Sequence, residues 1–119
     1  MARTVITLAS NSAVDSNTDV SRTALTAGAT GTGAGYFVAG QTRDERFGLV
    51  IENTGSATGI VWVKASDTYT SAGVGDLACT VGGGVTSLIG PLDGARFKQA
   101  TGTWHIDSGI TGWAAAVQI

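Results

Sequence analysis

Apolar and polar residues alternate with period two along most of this chain, in short segments separated by glycine. Arg46 to Glu52 (RFGLVIE) puts Phe47, Leu49 and Ile51 on one face. Ile60 to Ala65 (IVWVKA) puts Val61, Val63 and Ala65 on one face, with Trp62 and Lys64 on the other. Leu77, Cys79 and Val81 alternate with Asp76, Ala78 and Thr80, and Val85 to Ile89 follows after Gly82-Gly83-Gly84. Ala95 to Gln99 directs Phe97 opposite to Arg96 and Lys98. Thr103 to Asp107 directs Trp104 and Ile106 inward and His105 and Asp107 outward. Trp113 to Ile119 aligns Trp113, Ala115, Val117 and Ile119 as an apolar face. Period-two alternation between turn residues is the signature of half-buried strands, and helical periodicity is almost absent. Asn53-Thr54-Gly55, Thr58-Gly59 and Gly90 to Gly94 (GPLDG) mark turns.

The N-terminal third breaks this pattern. Arg3 to Ala9 (RTVITLA) reads as a first strand, with Thr4, Ile6 and Leu8 on one face and Val5 and Thr7 on the other. Ser10 to Gly35 is polar and Gly/Thr-rich, with one weak strand near Val20 to Leu25. So few large apolar residues cannot build a core of their own. The expected organisation is an extended arm and loop over residues 1–35 and a β-domain over 36–119. The arm has a bland alternative, in which Arg3 to Ala9 is simply an edge strand. Seven or eight short strands at regular spacing predict an all-β fold, either an antiparallel two-layer β-sandwich or a jelly-roll-like barrel. Strand order is not fixed by the pattern. Trp104 and Trp113 fall in the apolar register and read as core. Trp62 shares its face with Lys64 and reads equally as core or as a partner contact.

Composition narrows the class. With 119 residues the chain fits one domain, and 43% hydrophobic residues mark it as globular. Its charged fraction, 13%, is about half the usual quarter, which suits a protein packed against neighbours. The net charge of −2 and the absence of a basic cluster beyond Arg43 with Arg46 and Arg96 with Lys98 argue against nucleic acid as a partner. No apolar run is long enough to suggest a membrane span, and the opening residues lack the apolar core of a signal peptide, so export is not expected. Cys79 is the only cysteine, so no intrachain disulfide forms.

Catalytic and ligand-binding patterns are thin. His105, Asp107 and Ser108 are the residue types of a hydrolase triad, but no G-x-S-x-G elbow accompanies them, and a solvated or interfacial polar pair is the simpler reading. One His and one Cys far apart do not make a zinc site. The carboxylates are scattered, with only Asp44 and Glu45 adjacent. Gly31-x-Gly33-x-Gly35 is not closed by Gly-Lys-Ser/Thr and reads as a flexible loop. The alternation around Cys79 makes it a small buried hydrophobe. The expectation is a non-enzymatic protein without catalytic residues, cofactor or metal.

One resemblance adds to this reading. LVIENTG (Leu49 to Gly55), VWVKAS (Val61 to Ser66), AGVGDLACTV (Ala72 to Val81) and IGPLDGARFKQATGTWHID (Ile89 to Asp107), with a Trp-free counterpart of TGWAAAVQI, resemble head decoration or minor capsid proteins of tailed bacteriophages, especially those of actinobacterial phages. The likeness runs from Leu49 to Val117. The N-terminal third departs from it, and Gly82 to Gly84 replaces a Pro/Ala-type turn. It implies a structural protein that binds the outer surface of an assembled capsid and stabilises capsomer contacts. The partners would be the major capsid protein and neighbouring copies, as a homotrimer, on virions assembled in the host cytoplasm. Many copies on one shell give avidity, so modest contact per copy suffices. A tail or fibre receptor-binding module, or a carbohydrate-binding β module, is the alternative. Candidate contact residues are Arg3, Thr4, Val5, Ile6, Thr7 and Leu8 of the arm, whose unpaired strand would add to a sheet edge, and Trp62 and Lys64 of the body.

Overall fold

The computed structural model describes residues 4–10, 17, 19–27, 35–39, 46–65, 76–92, 97–99 and 102–118. In chain order the strands are β1 (Thr4–Val5), β2 (Leu8–Ser10), β3 (Thr23–Leu25), β4 (Tyr36–Val38), β5 (Phe47–Asn53), β6 (Gly59–Val63), β7 (Leu77–Val81), β8 (Thr86–Ile89), β9 (Trp104–Ser108) and β10 (Gly112–Gln118). They form two five-stranded sheets. The first has the order β1-β4-β9-β6-β7, and the second β2-β10-β5-β8 with β3 also paired to β10. Their inner faces enclose one core that includes Phe47, Leu49, Ile51, Val61, Val63, Val81, Trp104 and Ile106. The all-β sandwich expected from the alternation is therefore present.

Trp104 lies at the centre of that core, fully buried, with its ring 4.8 Å from that of Phe47 and 6.2 Å from that of Phe97. Tilted aromatic pairs at these separations add to the burial of their area. The inward residues of β5, β6 and β9 are those the alternation selects, and Trp62 faces outward. β4 is a strand that the alternation does not predict. Of the strand expected at Ala95 to Gln99, the described part makes a single bridge, Lys98 to Trp104, with Phe97 buried as expected. Val85 precedes β8 rather than opening it.

β10 inverts the expectation. Ala114 and Ala116 sit opposite Ile51 and Leu49 and line the core with Gln118, while Trp113 and Val117 lie half-buried on the outer face. A one-residue slip exchanges the two faces of a strand, and here both faces are apolar, so alternation does not choose. Packing chooses: small alanines leave room for the large inward side chains of β5 and β9, and the Trp113 indole N–H reaches Glu52 Oε2 at 2.6 Å on the outer face.

The N-terminal segment is the second correction. β1 pairs in parallel with β4, Thr4 beside Tyr36 and Val5 beside Phe37, and β2 pairs in parallel with β10. Between them the chain crosses from one sheet to the other at Ile6, which is fully buried and donates its N–H to Phe37 O at 2.8 Å. β3 lies along the other half of the same β10 edge, with Leu25 buried. Residues 4–10 are thus part of the folded body, not an unpartnered arm, because burying Ile6 and pairing both flanking strands satisfies their backbone within the domain. These pairs also make the sheets mixed rather than purely antiparallel. Arg3 lies outside the described residues, as do residues 28–34 of the glycine-rich loop expected up to Gly35.

A buried asparagine ties two turns together. Asn53 Nδ2 donates to Ala57 O at 2.9 Å and Val81 O at 3.1 Å, and Asn53 Oδ1 accepts from Gly55 N at 3.0 Å. Its backbone carbonyl accepts from Gly84 N at 2.8 Å. The glycine run fits here because a Cβ at Gly83 would collide with the Ser56 carbonyl.

Candidate contact surface

The cross-strand register places several of the sequence-selected residues on one face. Val5 stands beside Phe37, Phe37 beside His105, and the Lys64 N–H donates to His105 O at 2.9 Å. A second row runs from Asp107 through Trp62 to Ala78. The outer face of the first sheet therefore carries Val5, Phe37, His105, Lys64 and Trp62, with Asp76 at its far border. Val5 is 50% exposed, and Phe37, Trp62, His105 and Lys64 are half-buried.

Electrostatics hold this face in shape. Lys64 Nζ lies 2.5 Å from Asp76 Oδ2 and 4.0 Å from Asp107 Oδ2. The Ala65 N–H donates to Asp76 Oδ1 at 2.6 Å. Burial raises the Asp76 pKa, but the Lys64 ammonium and the Ala65 N–H outweigh it and hold the carboxyl below its ordinary value. Asp107 is 2% exposed, and such a carboxylate is tolerable only beside compensating partners. Alternation gives Asp76 no role beyond opening a strand; its pairing with Lys64 follows from β6 and β7 lying side by side.

The other contact residues are distributed differently. Ile6 is in the core, Thr7 is exposed at the crossover, and Leu8 is half-buried in β2 on the second sheet. The fold brings Val5, Trp62 and Lys64 to one face and assigns Ile6 and Leu8 to internal packing. Thr4 pairs at the edge of the first sheet.

The three residues of triad type each have a separate setting. His105 Nε2 is 3.3 Å from Thr103 Oγ1, Asp107 is beside Lys64, and Ser108 Oγ donates to Ile110 O at 2.9 Å on the buried side of β9. Among the described residues no three His, Cys, Asp or Glu side chains stand together as a metal site. Burial pushes the Cys79 thiol pKa up.

No family model matches the chain. No curated protein and no solved structure matches it either.

Alternation alone did not reveal a second polar cluster on the outer face of the other sheet. The Arg22 guanidinium lies 4.8 Å from the Trp113 ring centre, and Glu52, which accepts from Trp113, also lies 3.5 Å from Thr86 Oγ1. The cation covers the indole face, so this tryptophan is engaged from within the chain.

Proposed function

We propose that this protein is a non-enzymatic decoration protein that binds the outer surface of a bacteriophage capsid and stabilises contacts between capsomers. The observation that carries the reading is the run of sequence elements from Leu49 to Val117 that resembles such proteins. A rigid sheet face bearing half-buried aromatics beside an oriented charged pair supports it. Aromatic residues at the centre of a patch supply most of the energy of protein contacts, and polar groups around them set register. Trp62 and Phe37 are the anchors in this reading, and Lys64 with Asp76 forms the rim.

The test is binding to undecorated, expanded heads. Wild-type protein co-sediments with them at saturating, symmetric occupancy. The variant Trp62→Ala, which leaves Lys64 beside Asp76 and Asp107, stays folded by circular dichroism and loses most of that occupancy. Binding confined to a single vertex or to the tail would overturn the proposal.

A further inference from the structure

Among the described residues, each sheet ends in a strand paired on one edge alone, and the two lie on the same side of the molecule. β7 ends the first sheet and β8 ends the second, and the turn Gly82 to Val85, closed by Val85 N to Gly82 O at 3.0 Å, joins them. Among the described residues β7 pairs only with β6 and β8 only with β5. Half of the backbone N–H and C=O groups of each strand therefore face outward, which is the template for adding another strand.

Edges of this kind are ordinarily blunted by charge, proline or short length. These two are not. LACTV and TSLI contain neither a charged residue nor a proline. The opposite side of the sandwich ends instead in β1 and β2, of two and three residues. Two large apolar side chains are exposed on the β7–β8 side. Leu88 is 71% exposed and Val85 46%, and Leu88 borders a shallow groove of about 320 Å³ shared with Gly48 and Pro91. Under β7 the core is only partly covered, with Leu77 and Cys79 half-buried.

We infer that a second copy of this chain joins here, β7 and β8 each pairing antiparallel with their own counterpart across a two-fold axis normal to the sheets. Backbone valence fixes the occupant as a β-strand. The stacking of two open edges selects a second copy, because one isologous axis pairs both at once, whereas a single extended segment from another protein satisfies only one. No like charges meet, because neither edge carries any. Leu77 and Cys79 are covered by the same residues of the partner, and Leu88 gains apolar neighbours. This two-fold association differs from the three-fold arrangement expected from the resemblance, and it does not depend on whether the protein binds a capsid.

Sedimentation equilibrium of the purified chain over micromolar concentrations tests it. The expected species has twice the 11.9 kDa chain mass. Ala78→Lys combined with Leu88→Lys changes two exposed side chains and raises the dissociation constant by about tenfold or more, because like charges brought together across paired strands repel. Amide exchange of the wild type gives a reading that needs no substitution: Leu77–Val81 and Thr86–Ile89 slow with rising concentration while Gly112–Gln118 does not change. A monomer at every concentration, a trimer, or a dimer with β7 and β8 exchange independent of concentration would each overturn the inference.

Discussion

Trp113 on β10 donates its indole N–H to the carboxylate of Glu52 on β5, 2.6 Å away across directly paired positions. This bond explains why a tryptophan occupies the outer face of a central strand: its ring packs under Arg22 and its polar edge is satisfied. Glu52→Ala removes the acceptor and is expected to destabilise the fold by about 1–2 kcal/mol. Glu52→Gln keeps a carbonyl acceptor and costs less. Urea denaturation of both variants checks the order, and equal losses would contradict it.

Asn53 is 1% exposed and uses both its amide and its carbonyl within the fold. Asn53→Ala leaves the Val81 and Ala57 carbonyls short of a donor and is expected to cost about 2–4 kcal/mol. Asn53→Asp is expected to be as harmful, because an oxygen then faces those two carbonyls. A loss below the error of denaturant titration for either variant would refute the bracing role.

The N-terminal strands give a direct contrast. Ile6 is fully buried and Thr7 is exposed. Ile6→Ala is expected to cost about 2–5 kcal/mol as a core truncation, and Thr7→Ala to stay within about 0.5 kcal/mol as a surface change. Deleting Met1 to Ser10 should lower the melting temperature steeply. An unchanged transition after that deletion would show the segment to be dispensable to the core.

Acid titration reports on Lys64 and Asp76. The Asp76 pKa is lowered in the folded protein, so its contribution is present in full above the ordinary aspartate value of about 3.9. It is lost as pH falls through the depressed folded value. Asp76→Asn is therefore expected to lower stability slightly at neutral pH and to flatten the acid limb of the stability curve below about pH 4. The effect is small because the pair is partly solvated. Thermal melts from neutral pH to pH 3 measure it, and parallel curves for wild type and variant would contradict the assignment.

Alternation by itself determined the class of fold and the inward side of β5, β6 and β9. At those strands one face holds Phe47, Leu49 and Ile51, or Val61 and Val63, or Trp104 and Ile106, and the other mixes in glycine or polar groups. Only one orientation there buries the apolar set. Trp62 beside Lys64 read equally as core or as a contact, and the structure places it outward. Tertiary structure decided the rest. β10 is apolar on both faces, so its phase depended on the size of the side chains it meets, and alanine won the inner face against Phe47, Leu49 and Ile51. β1 and β2 are too short to declare their partners, and their place depended on β4 and β10, more than thirty and more than a hundred residues away, offering open edges. The pairing of Lys64 with Asp76 arose likewise from the adjacency of β6 and β7. Local pattern records which side of a strand avoids water; which strands become neighbours depends on long-range closure of the whole core, and no short window of sequence contains it.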